Sequence, residues 1–223
     1  MKFKFIVPVL ILILAVVNTT IAQENKNEFK TIFNKEKNNN SISHGAYGAI
    51  TIGYTQIDGK DGLQIGGRAA WVLNHHLAIG ITGKGFFNNL KKTTEVGNYY
   101  LAGGYGGLFI EPIIAPKSPV HVSFPVIFGV GGLAAKYGNV WDNNYYNDNY
   151  YDTDVFLVLE PGLEVEFNVV KFMRIAIGGS YRLTNGVLLE YKYYDNNDLI
   201  MKDVPTNALD GFNFNLSFKF GWF

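Results

Sequence analysis

The final segment of the chain constrains the fold more than any other. Phe212, Phe214, Leu216, Phe218, Phe220 and Trp222 alternate there with Asn213, Asn215, Ser217, Lys219 and Gly221. Successive side chains of a strand point to opposite faces, so the segment reads as a β-strand with one apolar, aromatic face and one polar face. The apolar face is too large for the edge strand of a soluble sheet.

The same period recurs upstream. Val155, Leu157, Leu159, Leu163, Val165 and Phe167 share one parity, and Asp154, Glu160, Glu164 and Glu166 share the other. Met173, Ile175, Ile177, Tyr181 and Leu183 likewise oppose Arg174, Ser180 and Arg182. Eight such runs follow residue 42, at about 43–57, 62–74, 76–90, 98–113, 118–137, 154–169, 171–184 and 209–223. None has a helical period.

The connections differ in kind. Asn74-His75, Ala115-Pro116-Lys117-Ser118-Pro119 and residues 168–171 are short turns after the second, fourth and sixth runs. Those after the third, fifth and seventh are longer and polar, the last two spanning about 138–153 and 185–208; only Asp58-Gly59-Lys60-Asp61 is short on that side. An even strand count with tight turns at one end and longer loops at the other predicts an all-β, eight-stranded, antiparallel up-and-down transmembrane barrel.

Alternation alone also fits a soluble sandwich or lipocalin whose apolar face points inward. Run length favours lipid, since a membrane strand needs about 9–11 residues to cross. Composition agrees: 17% of residues are charged, against about 25% in a typical soluble domain. Glycines such as those of Gly103-Gly104-Tyr105-Gly106-Gly107 and Gly129-Val130-Gly131-Gly132 weaken an ordinary strand. In a narrow barrel they are expected to relieve interior crowding. The chain is also expected to end on a strand, at Phe223, without a polar tail.

At the other terminus, Lys2 and Lys4 precede an apolar run from Phe5 to Val17, closed by Thr20-Ile21-Ala22. This is the pattern of a secretory signal, and a membrane helix would need about 18–20 apolar residues. The expected organisation is a signal peptide at 1–22, a flexible polar periplasmic leader at 23–42 and a barrel at 43–223. Cleavage after Ala22 leaves 201 residues with 17 basic and 19 acidic side chains, because Lys2 and Lys4 depart.

The exported start, the eight alternating runs and the ending Phe218-Lys219-Phe220-Gly221-Trp222-Phe223 resemble the small outer-membrane β-barrel proteins of Gram-negative bacteria. The segment from Gly104 to Pro112, continuing through Pro119-Val120-His121-Val122-Ser123-Phe124-Pro125, further resembles uncharacterised barrels of the Bacteroidetes. The resemblance implies location in the outer membrane, with outer-membrane lipid as surroundings, and with periplasmic chaperones and the barrel-assembly machinery as partners during biogenesis. It also implies that Phe218, Phe220, Trp222 and Phe223 form the assembly signal. That family presents its terminal Phe in phase with the apolar series; here the series ends on Trp222 and Phe223 is out of phase.

An eight-stranded barrel is just wide enough for its side chains to fill. Parity directs Glu111, Glu160, Glu164 and Glu166 inward together with Arg68, Lys84, Arg174 and Arg182. Four charges of each sign are expected to neutralise one another as a salt-bridged plug, because an unpaired buried charge is costly. In the hairpin of the sixth and seventh runs, Arg174 is expected to face Glu164 or Glu166, with Glu160 one diagonal from Arg182. The competing reading takes Glu160, Glu164 and Glu166 as a carboxylate cluster for metal binding or acid/base chemistry.

An outer-membrane enzyme is the sharper rival. His44, His75, His76 and His121 all map to the periplasmic end, which leaves no histidine for an external active site. No nucleophile motif or phosphate-binding glycine loop is present, so no catalytic residue, metal or cofactor is expected. With 19 basic against 19 acidic residues the chain lacks the basic surface that nucleic acid requires, and without cysteine it has neither a disulfide nor a thiolate site.

The remaining candidate is the loop of residues 137–152. Trp141, Tyr145, Tyr146, Tyr150 and Tyr151, interleaved with Asn and Asp, have the chemistry of a surface that binds an extracellular ligand. Tyr191, Tyr193 and Tyr194 are able to join it. The same aromatics equally suit the outer interfacial girdle of a barrel. Asp142, Asp148 and Asp152 lack the spacing of a calcium loop. The expected protein is a monomeric, non-enzymatic barrel; a narrow channel and an outer-membrane enzyme are the alternatives.

Overall fold

The computed structural model describes residues 43–88, 99–137, 152–188, 190–195, 198–203 and 205–223. The signal, the leader and Trp141, Tyr145, Tyr146, Tyr150 and Tyr151 lie outside them.

The described residues form eleven strands: β1 (His44–Ile57), β2 (Lys60–Leu73), β3 (Leu77–Phe87), β4 (Tyr99–Ile114), β5 (Val120–Ser123), β6 (Val126–Tyr137), β7 (Asp152–Val170), β8 (Met173–Asn185), β9 (Glu190–Asp195), β10 (Asp198–Asp203) and β11 (Gly211–Trp222). Antiparallel ladders join β1 to β2, β2 to β3, β3 to β4, β4 to β6, β6 to β7, β7 to β8, β8 to β11 and β11 back to β1. The sheet therefore closes into a ring of eight staves. No helix among the described residues is long and apolar enough to cross a membrane.

Two differences from the eight-run reading have local causes. The fifth run is divided into β5 and β6 by Phe124-Pro125, because proline supplies no ladder donor. Phe124 N donates to Pro112 O at 2.9 Å and Gly162 N to Pro125 O at 2.8 Å, which keeps the wall continuous across the break. The long connection after β8 contains an additional hairpin, β9 with β10, paired from Asp195 with Asp198 to Glu190 with Asp203.

The turns follow from backbone chemistry. Asp58 and Gly59 have φ of 52° and 67° between Ile57 and Lys60, the positive pair that a two-residue hairpin demands. Asn74 and His75, at 50° and 63°, make the corresponding turn between β2 and β3, and His76 N donates to Leu73 O at 3.0 Å.

The direction of the apolar face is now visible. Ile50, Leu108, Val155, Phe214 and Trp222 are 58%, 64%, 70%, 60% and 80% exposed, while Glu111, Glu166 and Arg182 on the opposite parity are fully buried. A soluble lipocalin places these two sets the other way round. Inside, one apolar cluster at the tight-turn end includes Tyr47, Val72, Ala78, Phe109 and Ile113. A second at the long-loop end includes Ile57, Phe86, Leu101, Phe156 and Leu209. The charged layer lies between them.

Glycine serves two purposes rather than one. A Cβ at the inward Gly107, Gly129 or Gly131 would lie 2.0, 2.2 or 2.4 Å from its nearest neighbouring atom. Around the outward Gly83 there is nothing within 4 Å, and at Gly132 the nearest atom is 3.8 Å away. Interior crowding thus accounts for the first set and not for the second.

Candidate functional site

The eight charged residues singled out by parity all lie within the barrel, and their pairing is set by register. The lower tier, near the tight-turn end, gathers Glu111 from β4, Glu164 and Glu166 from β7, Arg68 from β2 and Arg174 from β8. Arg68 donates through Nη2 to both carboxylate oxygens of Glu164, at 2.9 and 2.6 Å, a charge-assisted contact. Its Nη1 lies 3.9 Å from Glu111.

At the centre of the tier stands Lys219 of β11, which the sequence reading placed on the polar face but omitted from the charge network. Its Nζ is 2.6 Å from Glu111, 2.6 Å from Glu166 and 3.0 Å from Glu164. Parity was the signal that identified the other cations, and it applies equally to Lys219. Tyr47 Oη and Ser123 Oγ, the latter at 2.9 Å, donate to Glu111. His121 Nε2 lies 3.1 Å from Glu166. This histidine is indeed at the tight-turn end, but it lines the interior instead of facing solvent.

The upper tier is centred on Glu160. Lys84 Nζ donates to it at 2.7 Å, and the hydroxyls of Tyr105 and Ser180 donate as well. The carboxylate triple therefore differs from the sequence expectation. Oxygens of Glu111, Glu164 and Glu166 lie within 4.8 Å of one another, whereas Glu160 is bound by Lys84, Tyr105, Ser180 and Asn213 of the upper tier. Such a triple suits a cation, and the Lys219 ammonium supplies one from the chain itself.

Two expected pairings need correction. Arg174 is opposite Asn168 in the ladder, so Glu166 reaches it only diagonally, at 3.4 Å. The guanidinium carbon of Arg174 also lies 3.9 Å from the ring centroid of Phe223. Arg182 makes no ion pair among the described residues. It donates to the carbonyls of Leu209, at 2.6 Å, and Gln56, at 2.9 Å. The reason is that both acids near it in sequence parity, Glu160 and Glu164, are already held by other cations.

The aromatic ending divides by parity. Phe220 and Trp222 are 45% and 80% exposed on the outer face, and Phe218 shares their parity. Phe223, out of phase, turns inward and stacks on Tyr47 at 5.6 Å.

A cavity of about 20 Å³, bordered by Arg68 and Glu164 below and Lys84 above, separates the tiers. That is room for a single water. Arg174→Ala removes one long hydrogen bond and one ring contact. It is expected to lower the stability of the folded barrel by about 1–2 kcal/mol, read as a modest fall in the gel-shift unfolding temperature.

No family model and no curated protein matches this sequence. Solved structures do match by shape. A major outer membrane protein from Thermus thermophilus aligns over 79% of this chain and 99% of its own, with a TM-score of 0.52 at 11% identity. Neisserial surface protein A aligns over 81% and 98%, with 0.49 at 10% identity. Ail, the attachment invasion locus protein of Yersinia pestis, aligns over 80% and 98%, with 0.45 at 11% identity. At such identities the likeness is one of fold alone, which in this chain is a closed antiparallel β-barrel of eight staves.

Proposed function

We propose that the chain is a non-enzymatic barrel of the bacterial outer membrane, with a sealed lumen, that acts through its external face and by reinforcing the membrane. The observation that carries this reading is the interior itself. Among the described residues, two tiers of ion pairs between two apolar clusters enclose a cavity for about one water, too small for ions or substrates to pass from one end of the lumen to the other. The bare-apolar outer face supports placement in lipid, and the aromatic residues Trp71, Phe172 and Trp222 near the tight turns suit one interfacial girdle. Within this proposal belong the cleaved signal, the leader, the assembly signal ending at Phe223 and the narrower resemblance to Bacteroidetes barrels.

The external face has a sign. Residues 58–61, 88–98, 136–154 and 186–210 hold twelve Asp or Glu and six Lys or Arg, while the tight turns 74–76, 115–119 and 171–172 hold only Lys117 and Lys171. A face of that charge steers positively charged partners, with a salt-dependent rate. The Tyr, Trp and Asn of residues 137–152 would supply the contact area.

The test is conductance. The purified full chain in planar lipid bilayers is expected to show no single-channel steps, while deletion of residues 139–150 abolishes cell-surface binding without altering the heat-modifiable folded band. Stable unitary currents from the folded chain would replace this reading with the narrow-channel one.

A further inference from the structure

Among the described residues the lumen buries five Lys or Arg side chains, Arg68, Lys84, Arg174, Arg182 and Lys219, against the four carboxylates of Glu111, Glu160, Glu164 and Glu166. Four of the five have a carboxylate partner. Arg182 is the exception: it is fully buried, its Nη1 has no hydrogen-bond partner, and it meets two neutral carbonyls and the aromatic residues Phe86 and Tyr105, the latter through its hydroxyl as well as its ring. Its guanidinium carbon lies 4.9 Å from the Phe86 centroid and 5.8 Å from that of Tyr105. A buried cation without an anion is expensive, so its retention inside an apolar cluster calls for an explanation.

The cluster has two kinds of member. Ile57, Phe86, Leu101, Leu133 and Phe156 belong to five different staves and are fixed by the ladders. Val187, Ala208 and Leu209, only 1%, 3% and 0% exposed, come from the connection between β8 and β11 and belong to no ladder of the ring. They are folded into the long-loop mouth by side-chain and turn contacts and not by a ladder of the ring. Arg182 Nε binds Leu209 O, the Asp58 amide binds Ala208 O, and Thr184 binds Asp210 through its amide and hydroxyl at 2.7 and 2.8 Å. This insert can leave without breaking the barrel wall.

We infer that the long-loop half of the lumen is a binding site for an amphiphile with one anionic head and an apolar tail, a long-chain carboxylate, and that the chain's own Leu209 occupies it in this structure. The Leu209 carbonyl stands where the head would sit, on Arg182, and its side chain stands where the tail would begin. With the insert withdrawn, the five stave residues form an apolar wall around a single guanidinium. A carboxylate offers that guanidinium two charge-assisted acceptors where a carbonyl offers one. An uncharged amphiphile would fill the wall and leave Arg182 unpaired. The β9 and β10 hairpin lies within the same connection, between Val187 and Ala208, so that contacts made outside are linked to occupancy of the site.

The experiment uses the full chain in phospholipid vesicles and a twelve-carbon fatty carboxylate carrying a terminal diazirine, with its methyl ester as the uncharged control. After illumination, crosslinked residues are located by mass spectrometry. In Leu209→Ala, labelling of Phe86, Leu133 or Phe156 is expected to be about tenfold or more greater for the acid than for the ester, and Arg182→Gln removes that preference. Wild type gives the same ratio at lower yield, so the result does not depend on a variant assembling. Equal labelling of these residues by acid and ester, or labelling confined to outward residues such as Leu108 and Val130, would overturn the inference.

Discussion

Replacing Lys219 by methionine is expected to destabilise the folded barrel by about 3–5 kcal/mol, the range for breaking a buried ion pair from one side. Methionine matches the length of the lysine stem and keeps its packing, so the effect isolates the charge. The ammonium touches three carboxylates whose oxygens lie within 4.8 Å of one another. Without it, Glu111, Glu164 and Glu166 share only Arg68, the diagonal Arg174 and His121 as positive or polarisable neighbours. The measurement is urea unfolding in vesicles together with the gel-shift temperature. Adding Glu166→Gln to Lys219→Met removes one of the stranded charges and should recover part of the loss. If Lys219→Met unfolds at the wild-type temperature, or if the double variant is the worse of the two, the lower tier is not held by this ammonium. The effect should also exceed that of Arg174→Ala, because Arg174 reaches a single carboxylate oxygen, at 3.4 Å.

The second large effect concerns glycine. Gly107→Ala is expected to prevent assembly or to cost about 3 kcal/mol or more, as overpacking of a closed interior does at its upper end. The added methyl would lie 2.0 Å from Phe128 O and 2.5 Å from the Gly129 Cα, both backbone atoms that cannot rotate away. Gly83→Ala, on the outer face with nothing within 4 Å, should be neutral or stabilising by about 0.4–1 kcal/mol through the unfolded chain. The two substitutions are chemically identical and lie on adjacent strands, so a comparison of refolding yield and urea midpoint separates interior crowding from general loss of glycine. Equal damage by both would mean that the wall is not as narrow as the register indicates.

Much of this architecture was legible in the chain because a strand has a period of two. Phe212 to Trp222 and Val155 to Phe167 announce their faces without any tertiary information, and a single polar parity identifies Glu160, Glu164, Glu166, Arg174 and Arg182 as inward. Lys219 obeys the same rule and was available to it. Register is different. That Arg174 lies opposite Asn168, and not opposite a glutamate, depends on the two-residue turn Lys171-Phe172 and the irregularity between Asn168 and Val170. The inward turn of Val187, Ala208 and Leu209 has no periodic signature, since loop residues are buried by what the mouth of the barrel can accommodate. The three prolines Pro112, Pro125 and Pro161 lie inside the runs read from the sequence. That they cluster around one break in the wall follows only from the pairing of Ile110 with Val126 and Val126 with Pro161.

By itself, then, the sequence determined the strand period, the number of staves, the ends to which turns and loops belong and the side of each strand that carries charge. Those properties are local, because alternation and turn chemistry act within a few residues. The tertiary structure decided which charges meet, that the Lys219 ammonium stands among three glutamates, and that Arg182 lies against carbonyls and rings. These depend on closure of the ring, which brings β2, β4, β7 and β11 within reach across the lumen although Glu111 and Lys219 are 108 residues apart and Gln64 and Asn215 are 151 apart. Two residues that far apart in the chain have no shared pattern through which either can report the other.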